Sequence, residues 1–399
     1  MMIRKSAWEK LTVLYVHSSA DLYGSDRALL NLVSQLPKAI RPIVVLPEEG
    51  PLSERLYERG IITKVFPLAV PRLYYLHPRR VHRLLLLPFE LLTCWRRLRR
   101  LIRIEDVDVV HINVSFLLGP AWVARRCGKP IIWHWREVLP ERGWGREILI
   151  GAAERWATRI ICISNAVRRQ FRDRAKTTVV FDAVAPEEMA GGKPLGLGRE
   201  LGLGQDSFCV GTIGRLNDRK GHDVLIRAAA RVLERFPNTF FPIVGDVYKR
   251  NYEVRKRLES LADELGIRSR IVFTGFRSDV PAIMDLLDIF VLSSSLPEGF
   301  GIVQLEAMAK RKPIVATNEG GPLDVVIHGE TGFLVPPNDP EQLAARIVEL
   351  LEDPELRATM GRKGHQRFLD LFTIERQVRE VVELYASVAG KRPESGGRH

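Results

Sequence analysis

Residues 289–321 read IFVLSSSLPEGFGIVQLEAMAKRKPIVATNEGG. The apolar run Ile289–Leu292 is a strand in the making. A polar loop carrying Glu298 follows it, and Gly299-Phe-Gly301 opens a helix. Apolar or small residues at Ile302, Leu305, Met308 and Ala309 recur along that helix at spacings of three and four, which marks a buried stripe. The first turn of a helix has unpaired N–H groups and a partial positive charge, so it holds anions well. Glycines at 299 and 301 remove the side chains that would keep a ligand from that backbone. Glu298 stands just ahead of the helix and Glu306 near its second turn. A carboxylate accepts two hydrogen bonds, which suits neighbouring sugar hydroxyls. Amide donors for anionic oxygens thus stand beside carboxylates for hydroxyls, and a nucleotide sugar carries both groups. Taken singly, each glutamate is equally explained by the helix dipole.

The same strand–loop–helix unit recurs on either side. Strands are expected at Leu11–Val16, Pro42–Leu46, Ile61–Phe66, Val107–Ile112, Pro130–His134 and Arg159–Ile163. The rhythm breaks in a Gly- and Pro-rich stretch. It resumes at Phe208–Ile213, Phe240–Val244, Arg270–Thr274, Ile289–Leu292, Pro313–Ala316 and Gly332–Val335. Strands alternating with helices predict an α/β fold with parallel sheets. The expected organisation is a first domain over 1–185, a linker over 186–205 and a second domain over 206–372. A last helix over 373–389 and a tail over 390–399 complete it.

Ligands of open parallel sheets bind where a strand turns into a helix. Gly24 occupies such a corner after the first strand, with Ser25 or Asp26 able to cap the helix from about Asp26 to Leu36. Gly214-Arg215-Leu-Asn-Asp-Arg-Lys220-Gly221 occupies another. Two cations aimed at a helix entry could neutralise a diphosphate, or be solvated loop charges. His134 stands where a strand runs out, followed by Trp-Arg136-Glu137, and is as readily structural as catalytic. Asp106-Val-Asp108 spells D-x-D but precedes its strand, at the wrong end of the sheet, so it reads as a solvated strand entry and no metal follows from it.

The 399 residues suit two domains, and 46% hydrophobic with 27% charged residues is globular composition. Four scattered cysteines without a C-x-x-C pair fit a reducing cytosol and give no hint of structural zinc. The apolar run at Leu11–Val16 is too short for a signal peptide. The net charge of +12 is uneven. Residues 1–185 hold 31 Lys and Arg against 17 Asp and Glu, a balance of +14, leaving 29 against 31 for the rest. Nucleic acid, a membrane surface or an anionic substrate would each account for that. Residues 72–104 carry nine arginines interleaved with leucines and aromatics, among them Tyr74, Tyr75, Phe89 and Trp95. The longest stretch free of Arg and Lys, Leu84–Trp95, is too short to span a bilayer. A basic, aromatic-bearing amphipathic segment suits an anionic membrane surface; otherwise it is a helix with solvated arginines.

Together these residues name a family. Gly214-Arg215-Leu…Lys220-Gly221, Gly245-Asp246, Thr274-Gly275-Phe276, Pro297-Glu298-Gly-Phe-Gly301…Glu306-Ala307-Met308, Asn318-Glu-Gly-Gly321 and Gly329-Glu-Thr-Gly332 closely resemble the retaining GT-B glycosyltransferases of family 4. The resemblance is strong from about 205 to 390 and weaker over the first half. It implies two Rossmann-like domains facing a cleft, with the last helix crossing back onto the first domain. It further implies that Arg215 and Lys220 bind the donor diphosphate and Glu306 the ribose. Glu298 and the backbone of Gly299, Phe300, Gly301 and Ile302 would hold the transferred sugar. Gly24, Gly214 and Arg277 would complete the donor site, and His134 would lie near the reacting carbon. The donor is then a nucleotide-diphosphate sugar, UDP- or GDP-linked, and the acceptor a saccharide or glycolipid. The resemblance implies that no metal is required. Retention would arise through a covalent intermediate or by same-face attack, which the resemblance favours. Together with the basic segment it implies the cytoplasmic face of the membrane as the place. Two departures stand out: Asp324 replaces the usual Glu after Gly-Gly-Pro, and His134-Trp-Arg136-Glu137 differs from the His-Asp pairing of relatives.

Three other functions compete. A nucleotide-sugar epimerase shares the donor pocket but needs no acceptor groove. A nucleic-acid-binding protein would use the basic half, yet no nucleic-acid motif is present and the aromatics of 72–104 do not form a stacking array, so no nucleic-acid partner is expected. A silent sugar-nucleotide sensor would not need Arg215, Lys220, His134 and Glu298 together.

Overall fold

The computed structural model describes residues 10–68, 87–190, 206–247 and 252–390, with 198, 202 and 204 as isolated positions. Residues 72–86 of the basic segment, most of the expected linker and the tail beyond Gly390 lie outside the described residues. The chain divides into two compact units, Met1–Asp182 with Ile374–His399, and Ala183–Thr373.

The first unit holds β1 (Leu11–Val16), β2 (Ile40–Leu46), β3 (Ile62–Val65), β4 (Val109–Ile112), β5 (Ile131–Trp135), β6 (Arg159–Cys162) and β7 (Thr177–Val179). Every neighbouring pair is parallel, in the order β3-β2-β1-β4-β5-β6-β7. β1, β4 and β5 are buried along their whole length. This is why they read as unbroken apolar runs: a parallel sheet is covered on both faces. The helix Ile374–Ala389 belongs to this unit, and its buried residues Ile374, Gln377, Val378, Val381 and Tyr385 form one helical stripe.

The second unit repeats the design with β8 (Phe208–Ile213), β9 (Thr239–Val244), β10 (Ile271–Gly275), β11 (Ile289–Leu292), β12 (Ile314–Thr317) and β13 (Gly332–Val335). Its parallel order is β10-β9-β8-β11-β12-β13. The buried residues of helices His222–Arg235 and Pro340–Glu352 join those of β8, β9 and β11 in one core. In both sheets the order reverses beside the first strand, between β1 and β4 and between β8 and β11. Such a switch point opens a crevice at the strand ends.

Three local expectations are corrected. The helix expected from Gly299 spans only Val303–Ala309, because Gly301 takes φ +84°, which no right-handed helix accommodates. It is also buried from Val303 through Met308 rather than along one stripe. Finally, β7 was not expected, since three residues beginning Thr-Thr are too few to show a period.

Candidate active site

In the second unit, the loops after β8 and β11 are stitched together across the switch point. Gly221 sits at φ +61°, and a Cβ there would lie 1.9 Å from the Ser293 carbonyl oxygen, so only glycine fits. The Ser293 hydroxyl donates to the Gly221 carbonyl at 2.8 Å, and the Ser295 amide to the Arg219 carbonyl at 2.9 Å. This brings Lys220 against Glu298, with Nζ donating to Oε1 at 2.8 Å. The Ser294 hydroxyl donates to the same oxygen at 2.6 Å. Burial pushes the Glu298 carboxyl up, but the Lys220 charge and hydrogen bond, Ser294 and Arg219 outweigh it, and the net shift is downward. Glu298 is therefore an anion whose Oε2 makes no hydrogen bond among the described residues, and Lys220 keeps two of its three donors.

A third loop closes on these two. Gly320, at φ +76°, lies so near Glu298 that a Cβ would stand 2.2 Å from its carbonyl oxygen; one on Gly321 would stand 2.3 Å from the Phe300 Cα. The Gly321 amide donates to the Glu298 carbonyl at 2.9 Å. Backbone thus packs directly on backbone from Glu298 to Phe300. The Phe300 ring turns into the core against Phe372, leaving only its main chain available to a ligand. Glu306 is 1% exposed on the helix behind this loop. Gly214 and Arg215 follow β8 directly, and Arg215 is half-buried. Arg277 stands beyond the edge strand β10, its guanidinium forked onto Asp279 at 2.8 and 2.7 Å. Gly299 and Ile302 are half-buried on either side of Phe300 and Gly301.

In the first unit, Gly24 begins the helix Gly24–Ser34 and is exposed. Its loop is fixed by Asp26, which accepts from His17 Nε2 at 2.7 Å, from the Tyr23 amide at 3.1 Å and from the Ser19 hydroxyl. Asn113 Nδ2 donates to His17 Nδ1 at 3.0 Å, so His17 carries its hydrogen on Nε2, facing Asp26. Arg136 forks onto Asp182 at 2.6 and 2.8 Å in the interior, where Gln377 Nε2 also donates to Asp182 at 3.4 Å. The Ser115 hydroxyl donates to Glu137 at 2.5 Å, and burial raises the Glu137 pKa although Ser115 and Arg136 oppose it. His134 lies within β5 and is 0% exposed, with Nδ1 3.2 Å from His111 Nε2. Asp108 takes the Thr12 amide at 2.8 Å.

The described half of the basic segment forms the helix Leu87–Ile104. Against the helix Leu118–Arg126 it makes an apolar groove of about 730 Å³, lined by Leu91, Leu92, Trp95, Leu118, Trp122 and Trp156 among others. Guanidinium groups flank it: Arg99 stacks 5.3 Å over the Trp95 ring and Arg126 5.1 Å over the Trp122 ring. Among the described residues no helix is long and apolar enough to cross a membrane.

The family described as Glycosyl transferases group 1 matches residues 198–367, and that described as Glycosyltransferase Family 4 matches 23–188. The GDP-mannose-dependent alpha-(1-6)-phosphatidylinositol monomannoside mannosyltransferase of Mycolicibacterium smegmatis is 31% identical over 301 residues, which is 69% of this chain and 75% of that protein. The chain belongs to the group 1 glycosyltransferases. This glycosyltransferase is also 26% identical over 406 residues to the UDP-Gal:alpha-D-GlcNAc-diphosphoundecaprenol alpha-1,3-galactosyltransferase of Escherichia coli, covering 96% of this chain and 98% of that one. The crystal structure of Anabaena HepE in complex with UDP and glucose superposes with a TM-score of 0.81 at 24% identity, covering 94% of this chain and all of that one. The fold is therefore GT-B.

Several residues that organise the site escaped the sequence. Ser293 and Ser294 stood in the quoted stretch without an assigned role, and a Ser-Ser-Ser run closing a strand was their signal. The His17–Asp26–Asn113 and Arg136–Asp182 groups gave no signal, because their members are scattered along the chain.

Proposed function

We propose that the glycosyltransferase moves a sugar from a nucleotide-diphosphate sugar, UDP- or GDP-linked, to a saccharide or lipid-linked acceptor at the cytoplasmic face of the membrane. The product belongs to cell-surface polysaccharide or glycolipid synthesis, and the sugar keeps its anomeric configuration without a metal. The observation that carries this is the Lys220–Glu298 pair at the switch point of the second unit. Lys220 has two donors left for phosphate oxygens, and Glu298 has an oxygen left for a sugar hydroxyl.

Breaking the sugar–phosphate bond places negative charge on the leaving diphosphate and positive charge on the ring. Lys220 and Arg215, held at the crevice before reaction begins, would stabilise the first without reorganisation. Glu298 would orient the sugar, and Glu306 with the backbone of Gly299–Ile302 would hold the remainder of the donor. Gly24, Gly214 and Arg277 would complete the donor's surroundings, and His134 would meet the sugar from the first domain. The first half, up to a linker at 186–205, would supply the acceptor side. The groove between Leu91 and Trp122, flanked by Arg99 and Arg126, supports an acceptor with an apolar chain and an anionic head. The names of the mycobacterial and Escherichia coli relatives point the same way.

A thermal-shift screen with UDP, GDP, ADP, dTDP, CMP and their common sugars, each with and without EDTA, tests this. One ligand is expected to raise Tm equally in both conditions. Silence across the set counts against a preformed nucleotide site, and a shift lost with EDTA counts against metal independence. The anomeric configuration of the product, read by NMR, decides retention.

A further inference from the structure

Six buried side chains run along the edge of the first sheet where its strands end. His17 follows β1 directly, Asn113 follows β4 and Arg136 follows β5, and these three strands are neighbours in the sheet. Asp26 stands in the first turn of the helix Gly24–Ser34. At the other end lie Asp182, the last residue before the chain leaves the first unit, and Gln377, in the helix Ile374–Ala389 with which it returns. None of the six is more than 7% exposed.

The hydrogens along this line have one consistent placement. Arg136 can only donate: Nη1 gives to both Asp182 oxygens, Nε to the Asn113 carbonyl at 3.2 Å and Nη2 to the Asn113 side chain at 3.2 Å. The Asn113 atom that meets Nη2 is therefore the oxygen, which turns its amide nitrogen toward His17 Nδ1 at 3.0 Å. That ring nitrogen must be bare, so the hydrogen is on Nε2, 2.7 Å from Asp26 Oδ1. The far end demands the same. Burial raises the Asp26 carboxyl, but His17, Ser19 and the Tyr23 amide outweigh it, so Asp26 is an anion that only accepts. Every other placement sets two donors or two acceptors face to face.

The hydrogen that His17 gives has consequences beyond Asp26. Oδ1 also takes the Ser19 hydroxyl and Oδ2 the Tyr23 amide at 3.1 Å, so one carboxylate gathers residues 17, 19 and 23 ahead of Gly24. Between them the Ala20 carbonyl takes the Leu52 amide at 2.9 Å, and a Cβ on Gly50 would stand 2.6 Å from that oxygen. Backbone thus holds the loop on one side and Asp26 on the other, and the ring of His17 holds Asp26.

We propose that His17 is a positioning residue for the donor: by holding Asp26 it sets the loop that presents the Gly24 backbone to the donor's diphosphate. Asn113, itself oriented by Arg136, keeps the ring turned to deliver its hydrogen. The link to the diphosphate rests on the proposed function; the placement of the hydrogen does not.

Two substitutions separate the ring nitrogens. Glutamine carries an N–H where histidine has Nε2, so His17→Gln can still serve Asp26, whereas asparagine is too short to reach it. His17→Asn is expected to weaken binding of UDP or GDP, whichever the wild type takes, about tenfold in calorimetric titrations. His17→Gln is expected to recover most of that loss. UMP and GMP lack the outer phosphate and should bind all three proteins alike, whereas a protein that is merely less folded binds both kinds of nucleotide less well. Long-range 1H–15N correlation NMR on the full chain labelled with 15N-histidine reads the ring, and the signal lost in His17→Gln assigns it. The wild-type ring is expected with hydrogen on Nε2 and none on Nδ1. Asn113→Asp sets an acceptor against Nδ1 and is expected to add a hydrogen there. A wild-type His17 with hydrogen on Nδ1, undiminished diphosphate binding in His17→Asn, or His17→Gln no better than His17→Asn overturns the proposal. Wild-type protein that binds neither UDP nor GDP overturns the proposed donor, and this role with it, even where the ring is as expected.

Discussion

Lys220 Nζ and Glu298 Oε1 are 2.8 Å apart although 78 residues separate them in the chain. Neither residue reaches its place alone: Lys220 arrives on the turn closed by Gly221, and Glu298 on a loop pinned by Ser293 and Gly320. Removing the cation leaves a half-buried carboxylate whose remaining side-chain hydrogen bond among the described residues comes from Ser294. Lys220→Ala is therefore expected to cost ~1–3 kcal/mol of stability and at least about tenfold in donor affinity. Combined with Glu298→Gln, the second loss should be smaller than when each is made singly. Unfolding midpoints and nucleotide titrations of the four proteins measure this, and strictly additive values would show that the pair is not coupled.

Gly320 tests the backbone packing. Its positive φ and the 2.2 Å approach of a built Cβ to the Glu298 carbonyl oxygen leave no room for a methyl group. Gly320→Ala is expected to cost ~3 kcal/mol and to abolish donor binding, since Glu298 must move. Gly266 also has positive φ, at +69°, but meets nothing within 4 Å, so Gly266→Ala should cost only ~1 kcal/mol and leave binding intact. Equal effects from the two variants would refute the packing argument.

The groove in the first unit predicts lipid contact. Arg99→Glu with Arg126→Glu reverses the charge at Trp95 and Trp122, two of the three tryptophans that line it. The double variant is expected to lose binding to phosphatidylglycerol-containing vesicles at low salt while the nucleotide thermal shift is unchanged. Wild-type protein that fails to sediment with those vesicles, or that prefers DNA to them, would remove the membrane from the proposed function.

The parallel sheets were legible because strands buried on both faces leave continuous apolar runs, such as Ile289–Leu292. β7 left no such trace. Glu298, Lys220 and Arg215 were legible as chemistry, each beside a glycine at a strand-to-helix corner. Their pairing was not, because nothing local encodes a contact across 78 residues. Tyr385 is the sharper case. Its periodicity says that it is buried, yet its partners lie 370 and 274 residues away. His134 was expected at the end of a strand and lies inside one, since the apolar run continues through Trp135. Phe300 was read within a ligand loop, and its ring is core.

Three buried histidines set a pH dependence. Burial, with Arg136 nearby, lowers His111 to about 3 and takes His134 well below its ordinary value of 6.5. Burial also lowers His222 to about 4, despite the Arg215 carbonyl that accepts from its ring. Below pH 6.5 the unfolded chain takes up protons that the folded chain refuses. Stability is therefore complete above about pH 7 and falls as pH drops, by up to ~1.4 kcal/mol per histidine per pH unit. Glu298 and Asp26, whose pKa values are lowered, lose their contribution only at more acidic pH, through the carboxylate range. Glu137, whose pKa burial raises, acts in the opposite sense as pH falls, so the histidine contribution is read from the difference between wild type and a histidine variant over the interval from pH 7.5 to 5.5. Tm is expected to fall across it, and to fall less steeply in His222→Asn. Identical slopes in wild type and His222→Asn would mean that this ring titrates in the folded protein as it does in water.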